Sequence, residues 1–290
     1  MNQAVENLLR RLDLKALGPD EFEGEKEPNS WGRLFGGMVA AQALVSACRT
    51  VAMDPPRNAH SLHCYFLRPG NPDKRVHFSV DRIRDGRSFT TRRVVASQGD
   101  RAIFNMSVSF HTREEGFEHQ HPAPSAPDPQ HMKGWTDFAS RMAERMEGPQ
   151  RARFLEPRPI EMRFLRAPTF MGGEPSDGDN QVMFRAATPI GEDPLLHWAF
   201  LTYASDMSLL DNLVRPHGRR SGLGGIQMAS LDHAVWLHHP DLSVNDWLLY
   251  QQDSPIATGA RGLARGSIYD RRGRLVASVA QEGLMRPANG

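Results

Sequence analysis

From Leu195 to Asn212 the chain reads LLHWAFLTYASDMSLLDN, with apolar residues returning at steps of three and four. That period predicts a helix whose one face carries Ala199, Tyr203, Asp206 and Leu210. A carboxylate in an apolar stripe needs polar company or a proton, because burying an unpartnered charge costs several kcal/mol or more. A second reading ends the helix near Ser205 and makes Asp206 the cap of a following turn, a position that Asp favours. The pattern alone leaves both open.

The same reading orders the rest of the chain. Residues 1–15 pattern as a short amphipathic helix, and LFGGMVAAQALVSACRTVA from Leu34 as a core helix with Leu34, Gly37, Ala41, Leu44 and Cys48 on one face. Strand-like runs follow at HSLHCYFL, RVHFSVDRIRD, SFTTRRVVASQ and RAIFNMSVSFH. A helix followed by an antiparallel sheet is an α+β unit. From Arg113 to about Arg158 the composition shifts. HQHPAPSAPDPQH fits neither a helix nor a strand interior, because proline lacks the amide proton, and WTDFASRMAERME behind it patterns as a short helix. The plan then repeats, with strands at EMRFL and QVMFRAAT, the Leu195 helix, and strands at QMASLDHAVWLHH, DWLLYQQDSP, GARGLARGSIYD and RLVASVAQEGLM.

Gly37 and Asp206, Ser61 and Ser230, and Arg92 and Arg261 all stand 169 positions apart. A common offset running through helix and strands indicates an internal duplication. The expected division is 1–112, a linker 113–158, and 159–290. Two helix-wrapped units joining their sheets would put a site at the seam, between each helix and the other unit's sheet. The copies differ at the polar positions. Gly37 occupies the place of Asp206, and only the second copy has Gln281 in its last strand.

Composition narrows the class. With 39% hydrophobic and 24% charged residues in 290, the chain fits a soluble globular protein with a sizeable core. A net charge of +1 gives no reason to expect nucleic acid or an anionic membrane as partner. The amino terminus lacks the apolar core and cleavage site of a signal peptide, so the two cysteines, Cys48 and Cys64, are expected reduced.

Strand alternation puts Gln281 on the buried face with Val279, where its amide needs partners; strand-end backbone groups would also serve. Ser230 opens its strand and could equally bond to backbone. Together Asp206, Ser230 and Gln281 supply a carboxylate, a hydroxyl and a carboxamide, a set able to orient a water and accept its proton. An amide at the amino end of a helix would supply an oxyanion donor. Ser230, Asp232 and His233 have the residue types of a serine-hydrolase triad but are too close along one strand to form it, so Asp232 and His233 are expected to pair across the sheet or face solvent. The pairs His60 and His63, His119 and His121, and His238 and His239 lack a zinc spacing, and no P-loop or dinucleotide glycine motif is present.

The ordered blocks FGGMVAAQAL, HSLHCYFLRPG, RDGRSFTTRRV, YASDMSLLD, MASLDHAVWLH, DWLLYQQDSP, ARGLARG and VASVAQEGLMR resemble those of the acyl-CoA thioesterase II family of double-hotdog enzymes, from about Leu8 to Arg286. The resemblance implies two helix-wrapped antiparallel sheets joined into one. It also implies hydrolysis of medium- to long-chain acyl-CoA without metal, cofactor or covalent acyl-enzyme. Asp206 and Gln281 fall on the family's catalytic Asp and Gln. Ser230 falls where the family commonly has Thr. A homo-oligomer is implied, and the carboxyl-terminal Ala288-Asn289-Gly290 is not a peroxisomal tripeptide, so a cytoplasmic location is expected. Arg68, Arg87 and Arg261 are candidates for the CoA phosphates. The competing expectation is a non-catalytic acyl-CoA or lipid-binding protein on the same fold. Hydration of an enoyl-CoA is disfavoured because no His aligns with the helix carboxylate.

Overall fold

The computed structural model describes residues 2–27, 32–52, 54–144, 147–220 and 225–287, so the terminal Ala288-Asn289-Gly290 lies outside the described residues. The first half contains helix α1 (Gln3–Leu12), the short strands β1 (Lys15–Gly18) and β2 (Glu21–Gly24), and helix α2 (Gly36–Cys48). Strands β3 (Arg57–Phe66), β4 (Val76–Asp85), β5 (Phe89–Gln98) and β6 (Arg101–Thr112) follow. After an irregular stretch come β7 (Lys133–Gly134), α3 (Trp135–Ala143), α4 (Gly148–Leu155), β8 (Ile160–Phe164) and β9 (Asn180–Ala186). The second half then runs through α5 (Pro194–Ser205), α6 (Asp211–Val214), β10 (Ile226–Ser230), β11 (Asp232–Leu237), β12 (Leu248–Thr258), β13 (Arg261–Tyr269) and β14 (Leu275–Pro287).

Among the described residues the strands form one 14-stranded antiparallel sheet, in the order β1-β2-β4-β5-β6-β3-β11-β14-β13-β12-β9-β8-β7, with β10 on β14. The joint is the pairing of β3 with β11, where Cys64 stands opposite His233 and Leu62 opposite Val235. Cys64 and His233 are also 169 positions apart, so the residues that the repeat equates meet at the centre of the sheet. This is the joined double hotdog expected from the sequence. The Pro- and His-rich stretch is irregular, whereas α3 forms where WTDFASRMA patterns as a helix.

Both central helices are apolar almost all round, the mark of helices covered on every side. In α2 every residue from Gly37 to Ala47 is buried, and in α5 every one from His197 to Thr202 is. The entry of α5 is set by Asp193, whose carboxylate accepts the Leu195 amide, with Pro194 preformed for the first turn. Its exit differs from the long helix predicted to Asn212. α5 stops at Ser205, residues 206–210 form a turn, and α6 is a single further turn. Side chains hold that turn. Gln252 donates to Ser208 Oγ at 2.7 Å, and Asn212 donates to Gln252 Oε1 at 3.0 Å and to the Leu209 carbonyl at 2.8 Å.

The duplication also needs a correction. Adding 169 to Gly36, the first residue of α2, lands on Ser205, the last residue of α5. The offset therefore relates strands and not helices, and Gly37 is not the counterpart of Asp206. The two are instead neighbours in space, because α2 packs on α5 with its amino end at the carboxyl end of α5.

Candidate functional site

Asp206 caps the carboxyl end of α5 with φ −84° and ψ −7°. Its carboxylate therefore stands at the negative end of one helix dipole, an unfavourable place, and at the positive, amide-bearing end of α2, a favourable one. Three donors reach it. Gln281 Nε2 donates to Oδ1 at 2.6 Å, and the Gly37 amide and the Ser230 hydroxyl are the other two. Burial outweighs these bonds and pushes Asp206 up to about 6. Of the two readings of Asp206 that the sequence leaves open, the helix does break at Ser205, but the residue ends that helix and does not begin the next. It also has the polar company that a half-buried carboxylate requires.

Ser230 and Gln281 arrive from the sheet. β14 alternates as expected, with Ala277, Val279, Gln281 and Gly283 buried, and Gln281 is fully covered. The strand entering from the other side is interrupted at Leu231, between β10 and β11. There the Asp232 carboxylate takes over the role of a backbone acceptor, receiving the Glu282 amide at 2.7 Å. Such an irregularity re-aims the side chain beside it. Ser230, at the end of β10, thus turns to the Asp206 carboxylate.

The close contact of α2 with α5 requires glycine on steric grounds. A Cβ at Gly37 would stand 2.6 Å from the Tyr203 carbonyl oxygen, and one at Gly36 would stand 2.9 Å from Asp206 Oδ2. Gly37→Ala is therefore expected to separate the helices, withdraw the amide from Asp206 and lower stability by about 1–3 kcal/mol. A denaturation midpoint measured beside that of the natural protein checks the loss of stability.

Asp206 and Ser230 open onto a cavity of about 810 Å³, within the range of small-molecule sites. Leu34, Phe66 and Phe104 from the first half, Trp135 and Phe154 from the segment between the halves, and Phe164 from the second contribute to its walls. Arg33, Arg68, Arg158 and Arg215 are on its lining. The Arg158 guanidinium lies 3.4 Å over the Trp135 ring, and Arg215 is tied to Asp211 at 2.6 Å. Of the three arginines selected from sequence, Arg68 lines the cavity, with Nη1 donating to the Ala102 carbonyl at 2.7 Å. Arg87 and Arg261 do not line it, and Arg261 pairs with Glu282 across the sheet at 3.0 Å. The sequence could not separate them, because a strand-end arginine looks alike whether it faces a cavity or a cross-strand carboxylate.

His233 corrects the solvent-facing alternative of its sequence reading, because its ring turns into the core. It is 1% exposed, and its Nε2 lies 2.8 Å from Ser205 Oγ. Tyr250 donates to the Ser205 carbonyl at 3.1 Å from the same side. The signal was present in the alternation of β11, where His233, Val235 and Leu237 share the buried face. The other histidines flagged in pairs part company. His60 meets Ser109 Oγ at 2.8 Å, His63 packs edge-on to Trp236 with centroids 5.0 Å apart, and His238 meets Ser278 Oγ at 2.9 Å.

A joined double sheet with a carboxylate, a hydroxyl and a carboxamide converging at the helix seam, beside an apolar cavity, defines a hotdog-fold hydrolase-like site. A solved structure from Alicyclobacillus acidocaldarius described as a conserved protein of unknown function with hot dog fold superposes at a TM-score of 0.76. At 17% identity, with 97% of this chain and 98% of that chain covered, it bears on the fold alone. The acyl-CoA thioesterase II TesB2 of Mycobacterium marinum superposes at 0.78 with 39% identity, covering 99% of this chain and 100% of that one. Acyl-CoA thioesterase 2 of Haemophilus influenzae is 32% identical over 99% of both chains, and acyl-coenzyme A thioesterase 8 of mouse is 35% identical over 95% of this chain and 87% of its own. The family model for acyl-CoA thioesterase matches residues 149–284, and that for the acyl-CoA thioesterase N-terminal domain matches residues 26–111. The chain belongs to the acyl-CoA thioesterase II family of thioester hydrolases. Among its described residues no helix is long and apolar enough to cross a membrane.

Proposed function

We propose that this protein hydrolyses medium- to long-chain acyl-CoA to free fatty acid and CoA, with Asp206 as general base, Ser230 and Gln281 orienting the attacking water, and no covalent acyl-enzyme. The observation that carries this reading is the Asp206 carboxylate itself, half-buried, donor-bonded, raised to about 6 and open to an apolar cavity. A base whose pKa lies near the working pH is ionised yet basic enough to draw a proton in the transition state. In the reading, the water oxygen bonds to the thioester carbonyl carbon as its proton passes to Asp206. The carbonyl oxygen becomes an oxyanion, which collapses to expel the CoA sulfur. The protonated Asp206 then returns the proton to the departing thiolate. Gly36 lies in the first turn of α2, where an amide has no partner within the helix, and on the cavity wall. We assign its N–H to the oxyanion.

The acyl chain occupies the aromatic part of the cavity, and Arg33 and Arg68 face the anionic end of CoA. The chain acts as a homo-oligomer of this double unit. Thiol release from acyl-CoAs of increasing length by the folded protein tests the reading. Turnover that rises into the medium and long chains supports it, and no release from any of them would leave a binding protein on this fold.

Ser230 gives a graded check. Ser230→Ala is expected to lower kcat about tenfold. Ser230→Thr keeps the hydroxyl and restricts its rotation, so it should equal or exceed the natural protein in kcat. Steady-state kinetics on both variants decide this.

A further inference from the structure

We propose that His233 is a positioning residue for the base: its ring, held at one nitrogen by Ser205, donates from the other to the Gln281 carboxamide and thereby fixes which end of that amide faces Asp206. The proposal rests on the reading of Asp206 and Gln281 given above.

A carboxamide has two ends of nearly equal size, one donor and one acceptor, so packing alone does not decide its orientation. Gln281 bonds Asp206 through Nε2 at 2.6 Å, and turning the amide over would set its oxygen against the carboxylate. Something at the far end must hold it. There, Gln281 Oε1 is a buried acceptor with no partner at full hydrogen-bond geometry, and His233 Nδ1 is a buried nitrogen in the same condition. The two side chains are near enough that Gln281 acts on the ring as a hydrogen-bonding neighbour. β11 pairs with β14 at Ala234 and Ala280, which makes His233 and Gln281 cross-strand neighbours, and their two orphaned atoms are satisfied together by a single bond, Nδ1–H to Oε1.

That bond fixes the rest of the network. Burial holds His233 down at about 4, so the ring is neutral at ordinary pH and has one proton to place. With the proton on Nε2, the ring would serve Ser205 and turn the Nδ1 lone pair toward the Gln281 oxygen, leaving both unpaired. With the proton on Nδ1, Oε1 is satisfied and Nε2 accepts the Ser205 hydroxyl, 2.8 Å away. The hydroxyl then gives up its alternative acceptor, the Thr202 carbonyl at 3.0 Å, which lies on its own helix. The network runs from Ser205 through His233 and Gln281 to Asp206, each group donating to the next. Its backbone is anchored at the centre of the joined sheet, where Cys64 Sγ donates to the His233 carbonyl at 3.1 Å.

The test pairs His233→Asn, whose amide N–H falls near the place of Nδ1–H, with His233→Leu, of similar shape and without a donor. Each is measured alone and His233→Leu also in a Gln281→Leu background. His233→Asn should stay within about threefold of the natural kcat. His233→Leu should lose about tenfold in kcat with KM unchanged, and should add nothing to Gln281→Leu. Equal losses in the Asn and Leu variants, or losses that multiply with Gln281→Leu, would overturn the proposal. Full activity of Gln281→Leu on its own would instead overturn the reading of the site. Nitrogen-15 spectra of the histidine rings in the natural protein provide a readout that does not depend on the Leu variant folding. The His233 signal, assigned by its absence in His233→Asn, should report a proton on Nδ1, and a proton on Nε2 would sink the proposal.

Discussion

Asp206→Asn is expected to give a protein that is more stable than the natural one and nearly inactive. The activity loss follows from the role of the base: an amide cannot take a proton from water, so kcat should fall by two orders of magnitude or more while KM changes little. The stability gain follows from linkage. Asp206 binds its proton more tightly folded, at about 6, than unfolded, at about 4. Between those values the native state carries more protons than the unfolded state, so stability falls as pH rises through that window. Above pH 6 the full penalty is present. A neutral isostere removes it, for a gain on the order of 1–3 kcal/mol at pH 7 that vanishes below pH 4. Denaturant midpoints at pH 7 and pH 4 for both proteins check the sign. Equal stability at pH 7 would mean that the carboxylate is not held against its preference.

Gln281→Leu should produce the second large effect, and on two observables. The side chain is wholly buried and its Nε2 donates to Asp206 at 2.6 Å, the bond that does most to oppose the burial of the carboxylate. Without it the water-orienting contact is gone and the base is less readily ionised. The expected result is a kcat lower by about 100-fold, with the midpoint of its pH dependence moved above 6. Leucine is close in size to glutamine, so the fold should persist, and circular dichroism verifies this. A lowered kcat with an unmoved midpoint would separate Gln281 from the carboxylate.

What could be read from the chain and what could not divide along a physical line. The strands were legible because alternation records which side of a sheet is covered. The same alternation placed Gln281 inside and, read one strand further, would have placed His233 inside. The helices were legible as elements but not in their ends. Apolar residues continue at helical spacing past Ser205, while Gln252, from a distant strand, helps to hold Ser208 and Asn212 in the turn that stops α5. The offset of 169 runs through the strands, yet it paired Gly37 with Asp206 as counterparts when they are contacts. A repeat seen in sequence records descent, whereas the seam is made by how the two copies pack. Likewise Arg92 and Arg261 share a repeat position but not a setting. The first is buried against Asp85 and Thr50, and the second is exposed beside Glu282. The cavity arginine Arg158 had no signal, since a cation over a tryptophan ring needs the fold to bring the partners together, whereas Asp211 and Arg215 stand four residues apart, a helical spacing that the sequence does show.

The pH dependence of kcat for thiol release by the natural protein tests the central claim most directly. Of the titrating groups around the Asp206 carboxylate, Tyr203 is pushed up to about 12, Tyr250 and Cys64 are raised well above their usual ranges, and His233 is held down at about 4. Of these groups, Asp206 is the one that ionises between pH 5 and 8. The predicted profile rises with a slope of one through a midpoint near pH 6 and stays level to pH 8, while residual activity in Asp206→Asn shows no such rise. A profile flat from pH 5 to 8, or one that falls toward the alkaline end of that range, would contradict Asp206 as the base.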